Sequence, residues 1–384
     1  MKAGVTPHTI VRVTADILRF PTIRAHKLSV ATMTEQRSVL LQIETKNGDI
    51  GYGEAATIGG LAYSDESPDS IKLTLERYIA PLLIGELASD FGKLLARINS
   101  TIVGNYFAKM AVETALLDLA GKRAGLPLSE LLGGRCHDRL EVAWTLASGD
   151  TDQDIEEGKK VLEEQRHRHF KLKIGKRHWQ EDVRHCTAIS DAFEGQASVR
   201  VDVNQAWDLG TAKLATPALA EAGIVLIEQP LVGHDYSGAA LLRQVSKASI
   251  MADEALRGGP VAAAKIAGAS AADAFALKIA QAGGLMACRT VASIAEANGI
   301  GVYGGTMLEG EIATIASAHL FATLPSIEWH TELFGPLLLT ENILTDTLTY
   351  RDFGLMVPEG PGLGVSLDAS KIKEAISRER SASE

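Results

Sequence analysis

HFKLKIG (169–175), SVRVDVN (198–204), IVLIEQP (224–230), SIMADE (249–254) and AFALKI (274–279) are five apolar runs, each carrying a charged residue at or near its end. Those charges are Lys173, Asp202, Glu228, Asp253 and Lys278, spaced by 29, 26, 25 and 25 residues. A buried strand together with the crossover helix that leads to a parallel neighbour takes about 30 residues. The spacing therefore predicts a parallel (β/α) barrel, with the five charges at the strand C-termini where barrel sites form. A single charge of this kind is explained by a strand emerging into water. Five in register call for a site.

Extended outward, the same period takes in EVAWTLAS (141–148) before these runs and GIGVYGG (299–305) and SIEWHTEL (326–333) after them, which makes eight strands. Upstream the texture changes. Residues 9–20 and 37–45 alternate as strands do, and Asn47-Gly48-Asp49 marks a hairpin. Helical patterns follow at 67–83, 87–100 and 105–124, the last closed by Gly125-Leu126-Pro127. Strands followed by helices describe an α+β unit. The expected division is an α+β capping domain over 1–134, a barrel over 135–335, and a segment over 336–384 whose strand and Pro/Gly-rich turn return to the capping domain.

Side chains alternate along a strand, so Lys171 and Lys173 share a face, as do Asp202 and Asn204. Two ammonium groups on one inner face predict a lowered pKa for Lys173 and proton exchange near neutrality. Of the adjacent acids Asp253 and Glu254, alternation lets only one point inward; the spacing selects Asp253 and leaves Glu254 to brace the site from behind. Asp202, Glu228 and Asp253 on neighbouring strands would repel one another without a cation. Oxygen-only ligation selects a hard ion, Mg²⁺ or Mn²⁺, over Zn²⁺. Strands two and six lie opposite each other in a ring of eight, which puts Lys173 and Lys278 on either side of the metal group. Such a site suits proton transfer at a carbon next to a carboxylate.

The 384 residues carry a net charge of −10 with dispersed Lys and Arg, which argues against a nucleic-acid surface. The odd, widely separated Cys136, Cys186 and Cys288 predict free thiols in a reducing compartment. With no signal-like N-terminus and no apolar run long enough to span a bilayer, the expected location is the cytoplasm. Nucleotide-loop and catalytic-triad patterns are missing around Gly283-Gly284 and Gly304-Gly305 and at the serines and cysteines.

Lys171-x-Lys173, Asp202-x-Asn204, Ile227-Glu228-Gln229-Pro230, Ala252-Asp253-Glu254 and Lys278 together resemble the signature of the enolase superfamily, muconate-lactonizing subgroup. The resemblance covers nearly the whole chain. It implies a modified (β/α)7β barrel of TIM type under an α+β N-terminal cap, a homo-oligomer (commonly an octamer), and enolate chemistry on Mn²⁺ or Mg²⁺. Within the subgroup, TIGGLAY (57–63), LLGGR with LEVAWTLASGD (131–150), YGGTMLEG (303–310), TELFGPLLLT (331–340) and YRDF with PGLG (350–364) are similar to the muconate cycloisomerases.

That similarity implies conversion of cis,cis-muconate to muconolactone in aromatic catabolism, with the enolate protonated by Lys173 and Lys278 acting electrostatically. It further implies a metal or substrate role for Glu332, set against a plain surface charge, and substrate contacts from Ile58 and Tyr63 on a lid hinged at Gly59-Gly60. Core packing is the competing reading of Ile58. Glu311, where the family tends to have a small residue, is expected to alter the loop beyond strand seven. The same lysine and carboxylate frame serves chloromuconate cycloisomerases, N-acylamino acid racemases, dipeptide epimerases and o-succinylbenzoate synthase, so the cap loop has to discriminate. A catalytically silent barrel is the reading from another class, and failure to bind Mn²⁺ would favour it.

Overall fold

The computed structural model describes residues 6–27 and 32–383. The chain opens with an antiparallel meander of β1 (Ile10–Lys27), β2 (Thr32–Thr45) and β3 (Ile50–Ala56), turned between β2 and β3 at Gly48, whose φ is +89°. The helix Tyr106–Ala124 lies on this sheet. It approaches so closely that a Cβ on Gly53 would sit 1.9 Å from the carbonyl oxygen of Ala111, so only glycine fits there. Gly125, at φ +68°, ends the helix in the left-handed conformation.

After β4 (Arg139–Glu141) come β5 (Trp144–Leu146), β6 (His169–Lys173), β7 (Ser198–Asp202), β8 (Leu226–Glu228), β9 (Ser249–Ala252), β10 (Ala274–Leu277) and β11 (Gly301–Gly304). Strands β5 to β11 form one sheet, hydrogen-bonded in sequence order and parallel throughout. Alternation sorts their side chains. Phe170, Leu172, Val199, Val201, Ile227, Ile250, Phe275 and Leu277 belong to the main core. Leu226, Met251, Ala274, Ala276 and Tyr303 form a separate apolar layer, on the alternation face that also carries Lys171, Arg200 and Asp202.

The expected eighth strand is reduced to one bridging residue. Thr331 pairs in parallel with both Val142 and Gly304 and so closes the ring. Its amide donates to the Glu141 carbonyl at 2.9 Å, and Ala143 N–H donates back to Thr331 O at 2.7 Å. No longer ladder forms because His330, at φ +63°, breaks the extended run just before the bridge. The fold is thus the modified (β/α)7β barrel with its α+β cap.

The C-terminal segment also departs from expectation. Its strand β12 (Tyr350–Arg351) pairs with β13 (Gly354–Met356), and β13 pairs with β4 beside the barrel, not with the capping sheet, which lets Leu355 bury opposite Leu140. The following turn does reach the cap, where Gly362 O accepts from Leu128 N–H and Leu363 N–H donates to Asp118. The last helix, Ala369–Ser383, packs on β1, and Glu379 accepts from Arg19 and Arg37 there. Among the described residues no helix is long and apolar enough to cross a membrane.

Candidate active site

The strand ends deliver the five charges to one place, all buried except half-buried Lys173. Asp202 and Glu228 end β7 and β8 as register partners, while Asp253 and Lys278 sit one residue past β9 and β10. Lys173 Nζ lies 2.5 Å from Asp202 Oδ2, and Lys278 Nζ lies 2.7 Å from Asp253 Oδ2. Each lysine therefore holds one of the outer carboxylates, with Glu228 on the strand between. Lys171 Nζ is 2.7 Å from Glu228 and 2.8 Å from Glu332, which follows the bridging Thr331.

The direct lysine–lysine neighbourhood expected on β6 is bridged by a carboxylate. Asp202 Oδ2 is 3.6 Å from Lys171 Nζ and 2.5 Å from that of Lys173, because the register of β6 and β7 sets Asp202 beside Lys173. Burial opposes charge on Lys171, yet Glu228, Glu332 and Asp202 raise its pKa well above the usual lysine value. Lys278 is raised against burial mainly by Asp253. Burial works to raise Asp202 and Asp253, but Lys173 and Lys278 respectively outweigh it and both are lowered. Glu228, pushed up by burial and then by Asp202, lies well above the carboxylate range.

The neighbours of Asp253 correct the alternation argument. Both Asp253 and Glu254 reach the site: Asn204 Nδ2 donates to Asp202 Oδ2 and to Glu254 Oε1, each at 3.2 Å. The chain leaves strand geometry at Asp253 (φ −124°, ψ −81°) and enters a short 3-10 turn, so the period of two no longer applies. Burial, then Asp253 and Asp202, push Glu254 up to about 7. Gln229, at φ +37°, braces this turn, its Oε1 accepting from the amides of Asp253 at 2.8 Å and Ala255 at 3.1 Å.

The cap loop closes over the site. Gly59 and Gly60 take φ of +60° and +65°, and Ile58 and Tyr63 line the same pocket as Lys171, Lys173, Asn204 and Lys278. Tyr63 Oη donates to Asp253 Oδ2 at 2.6 Å, and the Arg257 guanidinium stacks on its ring and donates to its carbonyl. Thr145 Oγ1 donates to Glu332 Oε1 at 3.2 Å. Glu332 is 3% exposed, which removes the surface-charge reading. Glu311 is also buried, as the first residue of the helix Glu311–Phe321. Its charged neighbours are Glu54 and Lys371, not the lysines and carboxylates of the site, and burial followed by Glu54 pushes it up to about 7.

Sequence reasoning missed His26, Thr145, Leu308 and Phe334, all of which line the pocket, and the bracing Gln281, which donates to Asp253 Oδ1 at 3.1 Å. Alternation on β5 could have placed Thr145 on the inner face. His26 sits in a capping strand with no motif around it.

The residues fit a hard divalent ion. Both Glu228 oxygens lie buried without a hydrogen-bond partner although Lys171 is near, and the flanking donors are carboxylates too. Among the described residues, three potential ligand atoms approach within 4.8 Å of one another at Glu141, His169 and His330, at the opposite end of β6. At the mouth, lysine ammoniums stand between the acids.

Residues 11–133 match the mandelate racemase / muconate lactonizing enzyme N-terminal domain, and residues 153–371 match the enolase C-terminal domain-like family. Enzymes of this superfamily bind a divalent metal. Muconate cycloisomerase 1-2 of Acinetobacter lwoffii is 53% identical over 96% of this chain and 95% of its own. Muconate lactonizing enzyme from Pseudomonas fluorescens, in a crystal structure complexed with muconolactone, is 52% identical with a TM-score of 0.95, covering 96% of this chain and all of that one. A chloromuconate cycloisomerase of Pseudomonas putida is 39% identical over 95% of this chain and 98% of its own.

Proposed function

The chain belongs to the mandelate racemase / muconate lactonizing enzyme family of the enolase superfamily, and from that we propose that it is an isomerase converting cis,cis-muconate to muconolactone. The observation that carries this reading is the pairing of Lys173 and Lys278 with the two outer members of a buried three-carboxylate group, roofed by a loop that lends Ile58 and Tyr63. Asp202, Glu228 and Asp253 would hold Mn²⁺ or Mg²⁺. When bound, such an ion supplies fixed positive charge against which a carboxylate can accumulate negative charge.

The rest follows from the chain's own groups. One substrate carboxylate oxygen bonds to the far carbon of a double bond, closing the lactone ring, and the electron pair of that double bond is left on the carbon next to the other carboxylate, shared with it as an enolate. Lys173, as an ammonium, donates its proton to that carbon; in the reverse direction the neutral amine takes it back. Lys278 faces the opposite side and holds negative charge there. Lys171 stays charged among Glu228, Glu332 and Asp202, and Glu332 and Asn204 orient the two β6 lysines and the metal group. Glu254 positions Asn204. Ile58 and Tyr63 exclude water above the reacting carbon.

The domain division at 134/135 and 335/336, an octameric assembly, and a cytoplasmic place in aromatic catabolism complete this reading; the three free cysteines suit a reducing compartment. Chloromuconate is the second substrate considered, on the strength of the 39% identical relative. The deciding experiment follows ultraviolet absorbance of cis,cis-muconate with chelator-treated protein, with and without Mn²⁺. Metal-dependent formation of muconolactone is the expected result. Metal binding without turnover would move the assignment to racemase, epimerase or o-succinylbenzoate chemistry.

A further inference from the structure

His26, the penultimate residue of β1, is 1% exposed and lines the pocket beside Thr145, Lys171, Lys173 and Phe334. Its Nδ1 lies 3.4 Å from Arg24 NH1. A guanidinium can only donate, so Nδ1 accepts and the ring proton of the neutral tautomer sits on Nε2. Arg24 is itself fixed, donating to Thr145 O at 3.0 Å and to Glu157 Oε1 at 3.0 Å, which locks the tautomer from behind. Nε2 is buried and has no partner. A buried donor left unsatisfied is costly, and its position on the wall of a pocket suits a ligand acceptor. Burial, followed by the charges of Arg24, Lys173 and Lys171, lowers the ring's pKa to about 3, so it offers this N–H without a charge of its own.

We propose that His26 Nε2–H donates to a carboxylate oxygen of the substrate on the cap side of the pocket, anchoring the carboxylate that Asp202, Glu228 and Asp253 do not face. This rests on the dicarboxylate reading above. His26 is held in place for this contact by β1, which pairs with β2 at His26 and Met33.

The test compares wild type, His26→Phe and His26→Gln at saturating Mn²⁺. The expected result for His26→Phe is a KM for cis,cis-muconate raised about 10- to 100-fold, with kcat changed less. His26→Gln, which keeps a donor, should recover most of the loss. Mn²⁺ affinity should stay at the wild-type value in both and the thermal midpoint should not fall, because the unpartnered donor stabilises nothing in the free protein; replacing a merely structural histidine would lower it. If His26→Phe does not fold, His26→Met carries the same comparison. An unchanged KM in a folded donorless variant, or a loss that glutamine fails to recover, overturns the proposal. Should wild type show no turnover, the proposed function fails, and calorimetric affinity of Mn²⁺-loaded wild type and His26→Phe for cis,cis-muconate still reads the contact. Equal affinity, or no binding by either, overturns it.

Discussion

The two ends of β6 carry charged clusters that are matched to different degrees. At its start, His169 meets Glu141 and His330: His169 Nε2 lies 2.8 Å from a Glu141 oxygen, its Nδ1 lies 2.7 Å from Ser198 Oγ, and the two imidazoles stack at 3.9 Å. Arg168 covers the same carboxylate, with Nε donating at 3.0 Å. At the other end Lys173 and Lys171 stand among acids, Glu228 keeps both oxygens without hydrogen bonds, and His26 keeps an idle donor. The base cluster is compact and matched, and it joins β4 and β6 to the closing segment where only Thr331 pairs. The mouth is crowded and incompletely matched. Partners left over in a buried cluster are what a bound ligand can supply, so the contrast sets a self-satisfied cluster against one that is incompletely matched.

The largest expected effect tests the mouth. Lys173→Ala should lower turnover by about 10²- to 10⁴-fold while calorimetry still detects Mn²⁺ binding. Loss of metal binding instead would make Lys173 a structural partner of Asp202. Lys278→Ala should cost less, about 10²-fold, if its role is electrostatic. Complete loss would make both lysines acid/base groups and favour racemization.

Stability should show an asymmetry of its own, between Glu311, which faces Glu54 of the cap and lies outside the mouth, and the base. Glu311 is raised to about 7 when folded, so the folded state binds its proton more tightly than the unfolded chain does. Its cost is nil below the unfolded pKa, grows between there and about 7, and is complete above. Replacing it by glutamine should raise unfolding free energy at pH 8 by up to about 3 kcal/mol and change little at pH 4, as read by denaturant melts. A uniform shift at both pH values would place the effect in packing.

At the base the sign reverses. Burial would raise Glu141, but Arg168 and His169 hold it at about 2. Its stabilisation is present above the unfolded carboxyl pKa and is lost as pH falls through about 2. Because solvent screens Arg168, Glu141→Gln should cost only about 1 kcal/mol at pH 7 and leave KM and kcat unaltered. A fall in activity would erase the distinction between the two ends.

The strand period, the hairpin at Asn47–Asp49 and the helix stop at Gly125 could be read from residue order, because each depends on neighbours a few positions away or on a regular repeat. So could the inner-face identity of Lys171, Lys173, Asp202 and Glu228, since alternation is a local property of strands. Where the chain left regular geometry, the reading gave way: at Asp253, whose turn brings Glu254 inward, and at His330, whose left-handed backbone shortens the closing strand to Thr331. Contacts between Tyr63 and Asp253, between Lys171 and Glu332, and the approach of His26 to the lysines join positions 190, 161 and about 145 residues apart. Sequence by itself determined which strands end in charge and so what chemistry the barrel can hold. Only tertiary structure decided which charges meet and which atoms are left waiting, because pairing across a closed ring and beneath a cap depends on distances that residue spacing does not carry.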